Sequence, residues 1–408
     1  MQPERDRKCR LLVLNQYYWP GVEATAHLLS ELCAALADEF EITVVTGQLR
    51  ADSASPGRTS REGVTIVRVR STAFDRRFLL LRSVNYATYL IESARTALSV
   101  ARPDVVLCMT DPPIIGDIAL IVARRFRAPL VVISQDVFPE IAVELGRLRN
   151  PALVGLLRML VRYYLRRAER LVAIGETMRG RLIDKGADEQ RIHVIPNWTN
   201  TSVLTPQPRD NAWARDNGTD GKFVVMHSGN VGHAQNLDAL IRATTFLRDL
   251  DDLEVVIIGS GALHTDLVAL QRQLEADKVR FLPYQPRERL AESLSSADVH
   301  VVGLARGLSG YVVPSRLYGI LSVARPVIVA AEEASETAQV VTARGCGVVV
   351  PPGRPELLAT AIRNAYQDRQ SLVEMGLRGR EYVISEADRS VAVLRYRKLV
   401  RDLAAEWA

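Results

Sequence analysis

The chain has 408 residues, 48% of them hydrophobic and 24% charged, with 52 Lys and Arg against 47 Asp and Glu and a formal charge of +5. That length exceeds one ordinary core of roughly 100–200 residues, so two α/β domains are expected, and the balance excludes a disordered or fibrous chain. Cys9, Cys33, Cys108 and Cys346 lie far apart without a CxxC pair, which argues against a zinc knuckle or disulfide framework and for a reducing cytoplasm.

The N-terminal MQPERDRKCR is charged, and the LLVL that follows is shorter than the ~7–15 apolar residues of a signal core. No run approaches the ~18 apolar residues of a membrane span, so a protein kept inside the cell is expected. Further along, short β-branched runs at 10–15, 41–46, 65–70, 105–109, 130–134, 170–174 and 193–195 are each followed by a stretch of helical spacing. Repeated βα units predict a parallel sheet covered by helices on both faces.

Residues 197–221, NWTNTSVLTPQPRDNAWARDNGTDG, are rich in Pro, Asn, Asp, Thr and Gly and carry no apolar period, which reads as a domain linker. A second βα series has runs at 223–227, 254–258, 279–281, 299–302, 327–330 and 347–350. The predicted class is α/β: two doubly wound, Rossmann-like domains at 1–200 and 201–387 facing each other across a cleft, with a helix at 388–408 crossing back to the first. Ligands bind such sheets outside the carboxyl ends of the strands.

Three loops carry chemistry. His227-Ser228-Gly229-Asn230-Val231-Gly232-His233 follows a strand and precedes a helix expected near Asn236, a corner where bare backbone and a helix N-terminus suit a diphosphate. Ile257-Ile258-Gly259-Ser260-Gly261-Ala262 repeats the pattern in the next βα unit; each corner alone also reads as a plain tight turn. Neither is GxGxxG with an acidic residue about 20 positions on, nor GxxxxGK[ST], so dinucleotide redox chemistry and ATP hydrolysis are disfavoured. In Gly307-Leu308-Ser309-Gly310-Tyr311-Val312-Val313-Pro314-Ser315-Arg316, a glycine loop leads to Pro-Ser at a helix start and a permanently charged Arg316, a clamp for phosphate or sugar oxygens. The alternative is that Ser315 merely caps the helix and Arg316 lies in solvent.

Together with Asn15-Gln16-Tyr17-Tyr18-Trp19-Pro20-Gly21 through Ala24-Thr25, Ser134-Gln135-Asp136-Val137-Phe138-Pro139-Glu140, Ile195-Pro196-Asn197-Trp198 and Leu317-Tyr318-Gly319 with Ala324-Arg325-Pro326-Val327, these motifs resemble the GT-B glycosyltransferases of the retaining family 4. The resemblance runs nearly end to end and is nearest to the branch of bacterial exopolysaccharide and O-antigen enzymes, such as colanic acid and fucosamine transferases. It implies transfer of a sugar, with retention, from a UDP- or GDP-linked donor to a lipid-linked or glycan acceptor. It places Gly21, Glu23 and Thr25, in the loop with Pro20, on the acceptor side and Asp136 at the anomeric centre; Asp136 also reads as a cap of the helix before Pro139. Residue patterns and resemblance together give a donor set of Gly229, Asn230, Gly232, Gly259, Gly261, Tyr284, Ser309, Gly310, Pro314, Ser315 and Gly319, with Asp136, Arg316 and His233 in catalysis.

The chain departs from the family pattern in two places. An Arg and a Lys after the first glycine corner are replaced by Asn230 and Gln235, leaving His233 and Arg316 as the nearby cations. Two glutamates eight positions apart are replaced by Tyr311 and Gly319. A helix N-terminus, aligned N–H groups and one Arg can stabilise a departing diphosphate, so neither a metal nor a further cofactor is expected.

Arginines crowd residues 61–191, and two stretches, 74–82 and 158–167, mix cations with large apolar residues. Both suit peripheral contact with an anionic membrane at the inner face of the plasma membrane, and both also fit a buried helix with a solvated charged face. Rival functions are a nucleotide-sugar-binding scaffold of a polysaccharide assembly complex and a nucleotide-sugar epimerase. The epimerase would pair a cleft His with carboxylates, and none of His27, His193, His227, His233, His264 and His300 has an adjacent acid in sequence. Nucleic-acid binding is disfavoured because the arginines are not interleaved with stacking aromatics.

Overall fold

The computed structural model describes residues 7–21, 23–48, 56–72, 74 and 79–407, the side chains of 79–83 excepted. Uncharged five-residue runs such as VVLCM and LVVIS have no polar face to turn toward water, so each must lie between two covered faces of a sheet. Both runs are buried throughout as parallel strands.

The chain divides into two units. The first runs to Ile195 and resumes at Val393; the second runs from Pro196 to Ala392. In the first, β1 (Arg10–Leu14), β2 (Glu41–Thr46), β3 (Gly57–Arg61), β4 (Val64–Arg68), β5 (Val105–Met109), β6 (Leu130–Ser134), β7 (Arg170–Ala173) and β8 (Ile192–Val194) form one sheet in the order β3-β4-β2-β1-β5-β6-β7-β8. Its helices are α1 (Ala24–Leu36), α2 (Leu79–Ser99), α3 (Ile115–Phe126), α4 (Glu140–Glu144), α5 (Pro151–Leu165) and α6 (Glu176–Asp184). All pairings are parallel except β3 with β4. Here the expected βα alternation is corrected: β2 is followed by a hairpin rather than a helix. The extra strand, GRTSR, is exposed at every position and gives no apolar signal.

In the second unit, β9 (Phe223–Ser228), β10 (Leu253–Ile258), β11 (Val279–Leu282), β12 (Val299–Gly303), β13 (Val327–Ala330) and β14 (Gly347–Val350) form a wholly parallel sheet ordered β11-β10-β9-β12-β13-β14. Its helices are α7 (Ala212–Asp216), α8 (Leu237–Ala243), α9 (His264–Gln273), α10 (Leu290–Ser295), α11 (Arg316–Ser322), α12 (Glu336–Arg344), α13 (Pro355–Gln367) and α14 (Arg369–Glu386). One core gathers Phe223, Val225, Leu240, Val255, Ile257 and Ile362; the opposite face packs Trp213 against Val224, Met226, Val256 and Ile258.

That second cluster corrects the linker. Trp213, in the middle of the presumed linker, is 0% exposed and donates from Nε1 to Gln285 Oε1 at 2.7 Å. The polar residues that read as loop signals are a helix cap: the Asn211 side chain accepts from the Ala214 amide and starts α7. Helix α15 (Arg389–Trp407) belongs to the first unit from Val393 onward, with Arg397 bonded to Asp38 at 2.9 Å and Arg401 to Glu39 at 2.7 Å. Among the described residues no helix is long and apolar enough to cross a membrane.

Candidate functional site

In the second unit, the carboxyl ends of β9 and β10 meet as two bare backbone corners. Gly229 and Gly259 have φ of 138° and 131°. The corners are stitched together by the Gly229 amide donating to Ile258 O at 2.9 Å and the Val231 amide to Ser260 O at 3.0 Å. A Cβ on Gly259 would lie 1.9 Å from Gly229 O, and one on Gly261 2.3 Å from Val231 O. The glycines of the second corner therefore serve close approach of one loop to the other, which corrects the expectation that both corners face a ligand with their open side. The Gly232 amide is also engaged, by Gln235 Oε1 at 3.1 Å. Helix α8 begins only at Leu237, behind Asn236 in the left-handed region, and has seven residues. Peptide dipoles thus do less here than the sequence implied, and charge stabilisation falls to side chains.

The side chain that meets the first corner is Arg316, from the first turn of α11. A Cβ on Gly229 would stand 3.3 Å from the Arg316 guanidinium carbon, a tight contact at a position whose φ of 138° already favours glycine. Arg316 Nη1 donates toward the His227 ring, 2.6 Å from Nε2 and 3.1 Å from Nδ1. His227 is fully buried; burial first, then the Arg316 charge, holds it well below the ordinary histidine range, so it meets the guanidinium as a neutral ring. Burial pushes Arg316 itself down to about 10, while Tyr284 acts in the opposite direction. No described carboxylate pairs with Arg316. A half-buried cation without a counter-ion is unfavourable until an anion arrives.

The remaining donor-side residues frame this point. Tyr284, just past β11, is 54% exposed, and its hydroxyl donates to Ser260 O at 3.4 Å. Ser309 is buried in the loop after β12, where its hydroxyl donates to Glu332 Oε2 at 2.9 Å; Gly310 follows with φ of 78°. Asn230 is exposed at the corner. Pro314 and Ser315 lead into α11, and Ser315 makes no side-chain cap bond, which removes the capping alternative. Two expectations change. His233 is exposed in a 3-10 turn, so it does not share the enclosed position of Arg316. Gly319 faces Leu204 and Leu294, each 3.7 Å from a would-be Cβ, and is packing rather than donor contact.

In the first unit the ends of adjacent strands β1, β5 and β6 form a polar edge. The Gln16 amide donates to Asp111 O at 2.8 Å, Thr25 Oγ1 to Asp111 Oδ2 at 2.9 Å, and the Gln135 amide to Thr110 Oγ1 at 3.1 Å. Asp136 stands half-buried two residues beyond β6, and the N-cap of α4 is Pro139, so Asp136 does not cap that helix. Gly21 makes room for Glu23: a Cβ there would lie 2.6 Å from Glu23 Oε2. Buried Arg68 donates to Trp19 O and Gly47 O, each at 2.7 Å, and ties this loop down. Asn15 Oδ1, Gln16 Oε1 and Ser134 Oγ are buried without hydrogen-bond partners among the described residues. Nearby in sequence, burial pushes the Asp117 carboxyl up to about 7.

Sequence reasoning missed Asp111, Arg68, His227 and Glu332. Their roles arise at strand ends: Asp111 and Glu332 stand two residues past β5 and β13, whereas Arg68 and His227 lie in the last two residues of β4 and β9. Among the described residues no three His, Cys, Asp or Glu side chains gather as a metal site. Of the two basic-apolar stretches, 75–78 and the side chains of 79–83 lie outside the described residues, whereas 158–167 is described in full and lies on and just after α5.

Residues 21–198 match the glycosyl transferase 4-like domain, and residues 210–382 match the glycosyl transferases group 1. WbjE of Pseudomonas aeruginosa, named a probable glycosyltransferase, is 26% identical over 363 residues, covering 86% of this chain and 88% of WbjE. WcaI of Escherichia coli (strain K12), named for colanic acid biosynthesis, is 30% identical over 205 residues, covering 49% of this chain and 50% of WcaI. Among solved structures, Anabaena HepE in complex with UDP superposes with a TM-score of 0.74 at 15% identity, covering 96% of this chain and 100% of HepE, a likeness of fold.

Proposed function

The chain belongs to the family 4-like GT-B glycosyltransferases, as a hexosyltransferase-type enzyme built from a 4-like domain and a group 1 domain, and we propose that its donor is a UDP- or GDP-linked sugar bound by the second unit at Arg316. The observation that carries this reading is the Arg316 guanidinium held against bare Gly229 and neutral His227, with no carboxylate among the described residues to pair with it. When the glycosidic C–O bond breaks, the electron pair leaves with the β-phosphate oxygen. A fork of N–H donors fixed in advance stabilises that developing charge without reorganising. The acceptor hydroxyl oxygen bonds to the anomeric carbon on the face the diphosphate leaves, and its proton passes to the departing phosphate oxygen. Asp136 is assigned to the transferred sugar, and the product keeps the donor's anomeric configuration, as the family pattern implies. The reaction is proposed to need no metal.

The proposed acceptor is a lipid-linked glycan in cell-surface polysaccharide synthesis, in keeping with the process named for WcaI. Support comes from the outer side of α5, where Leu153, Leu156, Met159 and Tyr163 are exposed among Arg158, Arg162, Arg166 and Arg167. The adjoining helix α3 adds exposed Ile121 and Arg124, whose Nη1 donates to the Tyr163 hydroxyl at 2.9 Å. Apolar side chains spaced along one helical side and flanked by arginines suit the inner face of an anionic membrane. The protein would then work in the cytoplasm at that surface. Sedimentation with vesicles containing phosphatidylglycerol should show binding that high salt abolishes; equal binding to neutral vesicles, or none, would remove this part.

The donor reading is tested by thermal shift with UDP, GDP, CMP and ATP, followed by turnover with matching nucleotide sugars. HepE was solved with UDP, which puts uridine first in the panel. A selective shift with UDP or GDP, retained in EDTA, is expected. No shift with any nucleotide would overturn the reading.

A further inference from the structure

Resting on the donor site proposed above, the placement of Glu332 carries a statement about the sugar. The sheet order β11-β10-β9-β12-β13 sets out the carboxyl-end segments in a row: Tyr284 after β11, the glycine corners after β10 and β9, Ser309 after β12 and Glu332 after β13. Neighbouring strands stand about 4.8 Å apart, so β11 and β13 lie on opposite sides of β9, each two strand spacings away; from the β11 side the Tyr284 ring reaches to 3.3 Å from a would-be Cβ on Gly259. A nucleotide sugar has its base and ribose on one side of the diphosphate and its sugar on the other. An exposed aromatic ring suits a base. The sugar then falls on the β12–β13 side.

Glu332 is half-buried, and its Oε2 accepts from the Gly307 amide at 3.1 Å and from Ser309 Oγ at 2.9 Å. Those two bonds hold the Ser309–Gly310 loop to the end of β13. Its Oε1 receives no hydrogen bond from a described residue. We infer that Glu332 is a specificity-determining residue for the transferred sugar: Oε2 positions Ser309, and Oε1 accepts a sugar hydroxyl. A carboxylate fixed at that place favours a neutral hexose with free hydroxyls and repels a uronic acid, whose own carboxylate would lie against it.

Calorimetric titration of the full chain with UDP, UDP-glucose, UDP-N-acetylglucosamine and UDP-glucuronate, in wild type, Glu332→Gln and Ser309→Ala, tests this. Should guanosine be the base selected, GDP, GDP-mannose and GDP-mannuronate replace them. UDP affinity should stay within about twofold in both variants. Glu332→Gln should weaken the best neutral sugar nucleotide about tenfold, the loss expected for one charge-assisted hydrogen bond, and bind UDP-glucuronate more tightly than wild type does. A gain for the acidic sugar is what mere damage to the loop would not produce. Equal losses for UDP and its sugars, no change in any arm, or wild-type preference for UDP-glucuronate would overturn the inference. Failure of wild type to bind either nucleotide would instead overturn the donor site and this inference with it.

Discussion

The carboxyl edges of the two sheets are built from similar loops and have opposite chemistry. In the second unit two glycine corners are pressed together by backbone contact, and one guanidinium stands against them beside a neutral imidazole, with no carboxylate partner among the described residues. In the first unit the strand ends carry Asn15, Gln16, Thr110, Asp111, Ser134, Gln135 and Asp136, and much of that group bonds to itself. Its buried cation there, Arg68, is engaged by two carbonyl oxygens. The difference teaches that one edge is short of an anion, whereas the other offers acceptors and a carboxylate to hydroxyl groups.

The comparison can be sharpened by substitutions at each edge. The largest effect is expected for Asp136→Asn, which should lower turnover about 10²–10³-fold while leaving UDP or GDP affinity unchanged, since a group acting on the sugar centre contributes chiefly in the transition state. Steady-state kinetics beside calorimetry checks this, and a parallel loss of nucleotide affinity would blur the division between the edges. Gly259→Ala should destabilise by about 3 kcal/mol or more in denaturant unfolding, because its backbone conformation is essentially restricted to glycine and the added carbon meets Gly229 O. Wild-type stability in that variant would mean the corners are not packed as described.

A smaller effect is expected at Asp117. It lies in the first turn of α3, where a helix N-terminus favours the charged form, yet burial dominates and pushes the carboxyl up to about 7. With the folded value above the unfolded one, the stability contributed by the protonated acid is fully present below the ordinary aspartate range and is lost as pH rises through about 7. Asp117→Asn should therefore flatten that dependence and raise Tm at about pH 8 by ~2–4 °C. An unchanged pH profile would show that the carboxyl is solvated. The smallest effect is at Gly319→Ala, which meets only ordinary contacts with Leu204 and Leu294 and should stabilise by about 0.5–1 kcal/mol as a helix-interior glycine replaced. Lost donor binding there would return Gly319 to the site.

These edges differ in how far they could be read in advance. Strands such as β5, β6 and β13 are buried on both faces, and an unbroken apolar run announces that. The exposed strand β3 has no such run, and the Asn, Asp and Thr around Trp213 signalled a loop where one of them, Asn211, caps a helix. Arg316 was legible because a permanent charge at a Pro-Ser helix start is unusual beside a glycine loop. His227 and Glu332 were not, since each owes its role to a residue on another element, 89 positions away for His227 and Arg316 and 23 for Glu332 and Ser309. The glycines of the second corner were recognised as functional positions, although their bare side faces protein backbone.

The role of Arg316 is tested most directly by titration of UDP and GDP into wild type, Arg316→Ala and Arg316→Lys. Loss of the guanidinium should weaken the bound nucleotide by about 100-fold, with lysine recovering part, because one charge-assisted fork is removed. The ligand-free Tm of Arg316→Ala should hold or rise, since a half-buried cation without a carboxylate partner among the described residues has been taken away. Wild-type nucleotide affinity in Arg316→Ala would contradict the account.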